Sequence, residues 1–290
     1  MKGVGAAASR DASLAWMLLA PAVFLLAAVA AGPLVATIWE SLHLHDLRMP
    51  WLGRPFVGLD NYRAAFADAR LHEALLHTAG FALVSVSLEL VLGMALALAL
   101  DALSRGRGPA RVIVLLPWAL PTVVAALVWR FMFDSGGIAT LVYPDWLSRP
   151  LAAWVPIVLG DVWKSTPFVA LLLLAGLQGI DASLYEAARM DGAARWRRFT
   201  QITLPLLRPA IVVALVFRTL DAFRVFDLVY VLTGGGPGTA TEVLSLYAFT
   251  ALLQDLRFGY GSALSVITFA LTFALALAYV RLLQGREEHA

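Results

Sequence analysis

The chain has 290 residues, of which 60% are hydrophobic and 14% are charged, whereas a soluble domain carries about 25% charged residues. A mean hydropathy of +0.78 leaves too little polar surface for a water-soluble core and excludes a disordered or coiled-coil chain. With 22 basic and 20 acidic residues the sequence has no charge excess for binding nucleic acid, and without cysteine it has no thiolate metal site. The composition therefore predicts a polytopic membrane protein.

Six long apolar stretches predict the membrane-spanning segments. A transmembrane helix needs about 20 mostly apolar residues to cross about 30 Å of hydrocarbon. We therefore predict an all-α fold of six transmembrane helices within a single transmembrane domain, residues 1–290. The predicted spans are residues 14–39, 76–100, 112–133, 151–177, 209–232 and 259–282. The first stretch is too long for the apolar core of a secretory signal, which has about 7–15 residues.

The basic residues of the loops predict the orientation, because cytoplasmic loops carry an excess of lysine and arginine. If both termini are cytoplasmic, the cytoplasmic segments contain Lys2, Arg10, Arg105, Arg107, Arg111, Arg189, Arg195, Arg197, Arg198, Arg208, Arg281 and Arg286. The outside loops then contain half as many: Arg48, Arg54, Arg63, Arg70, Arg149 and Arg257. This bias predicts that both termini and the loop of residues 178–208 lie in the cytoplasm.

The loop of residues 178–208 is polar and predicts two short helices. Ser183 and Glu186 have the spacing of a capping box, which begins a helix. Gly192 follows Asp191 and ends that helix, since glycine readily adopts the left-handed conformation beyond a helix end. A second helix is predicted over about residues 193–203. The residues alone leave two interpretations open: docking to a cytosolic partner, or adhesion of a basic surface to anionic lipid.

The same loop resembles a known motif. Residues 186–193 read Glu-Ala-Ala-x-x-Asp-Gly-Ala, and Phe-x-x-Ile-x-Leu-Pro follows at residues 199–205. This pattern is similar to the EAA loop of permease subunits of binding-protein-dependent ABC importers, which docks as a coupling helix into a groove on the ATPase subunit. The resemblance implies the type I importer permease fold, with the coupling helix between spans four and five. The residues that it implies for ATPase coupling are Glu186, Ala187, Ala188, Asp191, Gly192, Ala193, Phe199, Leu204 and Pro205.

A second motif narrows the family. Residues 217–227 read Phe-Arg-Thr-Leu-Asp-Ala-Phe-Arg-Val-Phe-Asp, and residues 231–237 read Val-Leu-Thr-Gly-Gly-Gly-Pro. These stretches resemble MalF-like permeases of carbohydrate importers, of the trehalose/maltose type. The resemblance implies a bacterial inner-membrane subunit that imports a sugar and is not itself an enzyme. It also implies three kinds of protein partner: a second homologous permease, a homodimer of ATPase subunits, and an extracytoplasmic binding protein or lipoprotein. The sequence contains no Walker motif, so ATP and Mg are expected on the ATPase and no cofactor on this chain.

Charged residues inside the predicted spans are candidates for the translocation path, because intramembrane charges usually face the bundle interior or a water-filled path. Residues of opposite sign stand three apart in span five and again in span four, and could pair within each helix. A glutamate in span two stands alone. The alternative is a set of ion pairs that only fixes helix register. The candidates are Arg218, Asp221, Arg224, Asp227, Asp161, Lys164 and Glu89.

The balance of these charges bears on the substrate. Four acidic against three basic side chains leave no surplus of positive charge for a phosphate or carboxylate ligand. This favours a neutral sugar, such as a disaccharide, over glycerol 3-phosphate. A secondary transporter is the alternative of a different class, but it would show an internal repeat and broken helices at matching positions. A membrane enzyme would need a nucleophile, a metal cluster or a carboxylate pair, and no such arrangement stands out.

Overall fold

The computed structural model describes residues 4–103 and 106–287, which are mostly helical. Lys2 and Arg105, which count toward the predicted orientation, lie outside the described residues. The α-helices are α1 (Val4–Ser41), α2 (Asp60–Ala67), α3 (Ala69–Ala102), α4 (Arg107–Ala119), α5 (Thr122–Phe133), α6 (Trp154–Gln178), α7 (Ala182–Met190), α8 (Arg195–Arg198), α9 (Leu204–Leu206), α10 (Arg208–Ala222), α11 (Asp227–Leu232), α12 (Leu244–Phe249) and α13 (Phe258–Glu287). Short 3-10 helices cover Pro50–Leu52 and Ile138–Leu141, and π-helical turns cover Phe199–Thr203 and Thr250–Gln254.

The described residues contain five helices that are long and apolar enough to cross a membrane. They are Trp16–Ser41, Ala69–Ala102, Thr122–Leu141, Trp154–Gln178 and Phe258–Arg281. The third of them comprises α5, the short connection after it and the 3-10 helix Ile138–Leu141. The segments Arg195–Leu206 and Arg208–Ala222 meet at an angle of 65° and make a sixth span if they are counted as one. The predicted all-α polytopic fold is therefore confirmed.

Two predicted spans are interrupted rather than continuous. Within residues 112–133, α4 ends at Ala119 and α5 begins at Thr122. The cause is Pro121, which lacks an amide hydrogen and holds Leu120 in an extended conformation at φ −70° and ψ 138°. Within residues 209–232, α10 ends at Ala222 and α11 begins at Asp227.

The interruption between α10 and α11 has a local backbone cause. The amide of Arg224 donates to the carbonyl of Asp221 at 3.0 Å, and the amide of Val225 donates to that of Ala222 at 3.2 Å. These bonds reach back three residues instead of four, so they close a turn and end the α-helix. Phe226 then leaves the helical region at φ −139° and ψ −66°. The sequence predicts one helical row of Arg218, Asp221, Arg224 and Asp227. This prediction is wrong for Arg224 and Asp227, because α10 ends before Arg224 and Asp227 begins α11.

The chain divides into two compact units, one of Met1–Ala67 and Ala248–Ile267 and one of Asp68–Tyr247 and Thr268–Ala290. In the first unit, Asn61 Nδ2 donates to the carbonyls of Ser41 and His43 at 2.8 and 2.9 Å and fixes the chain as it leaves α1. Arg48 binds Asp46 through its side chain and its amide, which lowers the pKa of Asp46 below its usual value. The apolar stretch of α1 is not buried by any other part of the described chain.

Close packing of α3, α6 and α10 forms the centre of the second unit. A Cβ atom on Gly93 of α3 would lie 2.6 Å from Val169 Cγ1 of α6, so this approach requires glycine. Glycine is also required at Gly176 of α6, because a Cβ atom there would lie 2.7 Å from the Cβ of Ala210 on α10. A buried apolar cluster surrounds these contacts: Ala97, Leu100, Val169, Leu173, Leu174, Leu177, Leu207 and Ala214. This packing brings charged residues of the three helices together.

Candidate functional site

A buried guanidinium joins α3, α6 and α10. Arg218 of α10 is only 3% exposed, and it donates from Nε and Nη2 to the two carboxylate oxygens of Glu89 on α3, at 2.5 and 2.7 Å. Its Nη2 also donates to Asp161 Oδ2 of α6 at 3.1 Å, and its Nη1 donates to Asp221 Oδ2. Glu89 is completely buried. One arginine is thus held by carboxylates from three helices, which we call the Arg218 cluster: Arg218, Glu89, Asp161 and Asp221.

The contacts of the Arg218 cluster contradict two predictions, that Glu89 stands alone and that Asp161 pairs with Lys164. Glu89 does not stand alone, because it forms the two-point contact with Arg218. Asp161 also bonds to Arg218, while Lys164 donates from Nζ to the carbonyl of Trp118 at 3.2 Å. The predicted pairing of Arg218 with Asp221 three residues later is present. Arg224 and Asp227 are exposed and lie at the break between α10 and α11, with Asp227 in the first turn of α11.

The exposure of the Arg218 cluster is graded. The side chains of Glu89 and Arg218 are 0% and 4% exposed, that of Asp161 is 14% exposed, and that of Asp221 is 64% exposed. Carboxylates outnumber the guanidinium three to one, so the cluster has free lone pairs for hydrogen-bond donors. Asp221 can therefore accept hydrogen bonds from a ligand while Glu89 holds Arg218 in place.

The exposed loop between α6 and α10 begins with a different cap from the predicted one. Helix α7 starts at Ala182, and the side chain of Asp181 accepts a hydrogen bond from the amide of Ser183 at 2.9 Å. The cap is therefore Asp181, and the predicted capping box of Ser183 and Glu186 is wrong. Because the backbone amide stabilises the charged carboxylate, the pKa of Asp181 is lowered.

The end of α7 has the predicted glycine turn. Gly192 adopts the left-handed conformation at φ 72°. The amide of Ala193 donates to the carbonyl of Ala188 at 2.9 Å, and the amide of Gly192 donates to that of Arg189 at 3.0 Å. These two bonds form a Schellman motif, which gives the turn a defined geometry. We call α7 and the Gly192 turn the knuckle. Four of the predicted coupling residues on it are exposed, namely Glu186, Ala187, Asp191 and Gly192.

The second predicted helix of the loop, residues 193–203, is α-helical only over Arg195–Arg198 and then widens into a π-helical turn. The amide of Leu204 donates to the carbonyl of Phe199, five residues back. Helix α9 follows and ends at Leu206, three residues beyond the predicted end of the second helix. Tyr185 of α7 bonds to Thr203 through their hydroxyl groups at 2.9 Å, so the two halves of the loop are joined.

Three side chains that carry no predicted role hold residues 240–242, which follow the glycine-rich stretch at residues 234–238. Arg70 donates to both carboxylate oxygens of Glu242 at 2.7 Å, and His77 Nδ1 lies 3.0 Å from the carbonyl of Glu242. Trp154 Nε1 donates to the carbonyl of Ala240 at 3.0 Å. Their sequence separations exceed 80 residues, so no local pattern indicates these contacts. Within the described ranges, no group of acidic or histidine residues has the geometry of a metal site.

Comparisons with known proteins agree with this architecture. Residues 89–287 match the family described as binding-protein-dependent transport system inner membrane component. The chain is 43% identical to the trehalose/maltose transport system permease protein MalF of Thermococcus litoralis, over 96% of both chains. It is 42% identical to the trehalose transport system permease protein SugA of Mycobacterium tuberculosis, over 93% of this chain and 88% of that protein. A crystal structure of a bacterial alginate ABC transporter, in complex with an alginate pentasaccharide-bound periplasmic protein, matches with a TM-score of 0.76 and 25% identity over 95% of each chain.

Proposed function

This chain belongs to the family of binding-protein-dependent transport system inner membrane components, and from this premise we propose how it moves a sugar across the membrane. The chain is a multi-pass transmembrane permease subunit of a sugar ABC importer. We further propose its contact with an ATPase, its translocation path, its substrate and its partners. The observation that carries them is the exposed, rigid knuckle between α6 and α10, which is joined to a broken span.

The knuckle of α7 and the Gly192 turn is proposed to dock on a separate ATPase subunit, which binds ATP and Mg. Glu186, Ala187 and Asp191 are exposed and free to meet such a partner. The Schellman motif and the contact of Tyr185 with Thr203 allow the loop to move as one body. The loop continues through a 65° bend into α10, which carries Arg218. Movement of the ATPase would therefore reach the Arg218 cluster through the loop and α10. The ATPase would shift the equilibrium between the two states of the permease because it binds them with different affinity.

The translocation path is proposed to pass the exposed side of the Arg218 cluster. Asp221 presents carboxylate oxygens that accept hydrogen bonds, and sugar hydroxyls are donors. Glu89 and Arg218 are buried and would hold Asp221 and Asp161 in position. Lys164, Arg224 and Asp227 are further candidates for the path.

The substrate is proposed to be a disaccharide such as trehalose or maltose. This proposal rests on the named substrates of the two relatives at 43% and 42% identity. The excess of carboxylates in the Arg218 cluster opposes an anion such as glycerol 3-phosphate, which would need surplus positive charge.

The complete importer is proposed to contain a second homologous permease, two copies of the ATPase and an extracytoplasmic binding protein or lipoprotein. The alginate transporter was crystallised with its periplasmic protein, which supports a binding protein here. The apolar surface of α1 is unburied within this chain, which leaves it free for lipid or the second permease. The distribution of basic residues supports cytoplasmic termini.

The docking proposal is tested by Glu186→Lys in the complete importer reconstituted in proteoliposomes. Because the new charge opposes basic residues expected on the ATPase, sugar-stimulated ATP hydrolysis should fall at least tenfold while membrane insertion is unchanged. Glu73→Lys makes the same charge change at an exposed residue of α3 outside the loop, and it should leave coupling intact. Normal coupling in Glu186→Lys would refute the docking site. Sugar uptake without the ATPase would instead favour a secondary transporter.

A further inference from the structure

A large apolar groove lies beside the knuckle, within the second unit. Its volume is about 1080 Å³, and α3 contributes Leu90, Met94, Leu98 and Ala102 to its lining. These residues extend over twelve positions of a helix, or about 18 Å at 1.5 Å per residue. Half of the hydrocarbon core of a bilayer is about 15 Å thick. The groove therefore has the length of a lipid chain in one leaflet.

Arginines line the groove where it meets the loop. Arg189 of α7 and Arg195 and Arg198 of α8 all contribute to its lining, whereas no acidic residue of the described chain does. Arg195 and Arg198 stand three apart and so share one side of the helix. Arg197 between them does not line the groove, and its Nε donates to Gln201 Oε1 at 3.0 Å. Three of the basic residues of the loop thus border a surface that is otherwise mostly apolar.

Arg198 carries an independent sign that a ligand is missing. Its Nε is buried and has no hydrogen-bond partner among the described protein atoms. A buried donor without an acceptor is unfavourable, and native proteins rarely leave one unsatisfied. An anionic oxygen beside Arg198 would supply the acceptor.

We propose that this groove binds one anionic phospholipid, with an acyl chain along α3 and the phosphate on Arg189, Arg195 and Arg198. The apolar lining fits the acyl chain, and the three arginines fit the phosphate by charge. An apolar protein helix would cover the lining but would give the arginines no counter-charge. With the loop in the cytoplasm, as proposed above, the lipid belongs to the cytoplasmic leaflet. It would link α3 to the knuckle and stabilise the loop against the membrane.

The test measures lipid bound to the complete purified importer by native mass spectrometry. The detergent contains equal amounts of phosphatidylglycerol and phosphatidylcholine with the same acyl chains. The wild type should retain phosphatidylglycerol preferentially. Arg195→Gln and Arg198→Gln should each lower this retention about fivefold, and the double variant about 25-fold, because each basic residue adds a similar attraction to an anionic lipid. Arg197→Gln removes the same charge outside the groove and should change retention little.

A second variant separates the acyl chain from the phosphate. Ala95 is exposed and lines the groove, so Ala95→Phe should obstruct it and lower retention of phosphatidylglycerol without changing any charge. A photo-crosslinking residue at Ala95 in the complete importer should capture lipid. Equal retention by the Arg195→Gln/Arg198→Gln double variant and by Arg197→Gln would overturn the proposal, as would capture of the second permease at Ala95. Sugar-stimulated ATP hydrolysis reports on the knuckle separately, so failure of lipid binding leaves the docking proposal standing.

Discussion

Removal of the buried carboxylate of Glu89 should destabilise the permease strongly. Glu89→Ala removes both contacts of Arg218 with Glu89, at 2.5 and 2.7 Å, and leaves the guanidinium buried with Asp161 at 3.1 Å and Asp221. Breaking a buried ion pair costs about 3–5 kcal/mol because an uncompensated charge remains. Since Arg218 keeps two partners, we expect the lower end, about 3 kcal/mol. For a chain of this size about 1 kcal/mol lowers the melting temperature by about 2 °C, so the expected shift is about 6 °C.

The assay is thermal unfolding of the purified importer in detergent, followed by loss of monodisperse permease on size-exclusion chromatography. Glu73→Ala is the matched control, because Glu73 lies on the same helix and is exposed. Glu89→Gln keeps the shape and one acceptor oxygen, so it should fall between the wild type and Glu89→Ala. If Glu89→Ala and Glu73→Ala melt within 1 °C of each other, the Arg218 cluster does not stabilise the fold.

Three further predictions test the neighbouring parts of the structure. Asp221→Ala should change the melting temperature little, because the Asp221 side chain is 64% exposed and Arg218 keeps Glu89 and Asp161 as partners. The same variant should reduce sugar uptake in proteoliposomes. A large loss of stability with normal uptake would contradict the roles assigned to Asp221 and Glu89. Gly93→Ala should destabilise the permease by about 1–3 kcal/mol through overpacking against Val169 Cγ1, 2.6 Å from the new Cβ, and adding Val169→Ala should restore much of the melting temperature. Asp181→Ala should speed hydrogen exchange at the amide of Ser183. Because the pKa of Asp181 is lowered in the folded chain, the cap stabilises α7 fully above the ordinary pKa of 3.8, and this stabilisation is lost as pH falls through the lowered pKa. Protection of the Ser183 amide that does not depend on the charge of Asp181 would argue against the cap.

The apolar helices could be predicted from the sequence because their length and composition are imposed by the bilayer. The break at Pro121 also had a visible cause, since proline restricts the residue before it. The break between α10 and α11 had none, because residues 223–226 contain neither proline nor glycine. There the chain leaves the helix through backbone bonds that depend on its surroundings.

The partners of the buried charges could not be predicted from helical spacing. Glu89 and Arg218 are 129 residues apart, and only the packing of α3 against α10 brings them together. Spacing within one helix predicted the pair of Arg218 and Asp221, which is present. It also predicted a pair of Asp161 with Lys164, but Asp161 bonds to Arg218 instead. The N-cap of α7 was predicted wrongly for another reason. Asp181 and Ser183 are both good capping residues and stand two positions apart, so the sequence alone does not distinguish between them.

Attachment of one guanidinium to α3, α6 and α10 restricts the motions that the transport cycle can use. Sliding any of these helices by one turn, about 5.4 Å, would pull carboxylate oxygens out of hydrogen-bond range and strand charge in the bilayer. The three helices must therefore travel together, as a single stiff slab. The backbone is interrupted on both sides of α10, at the 65° bend before Arg208 and at the turn after Ala222, and we expect rotation of the helices to be confined to these two places.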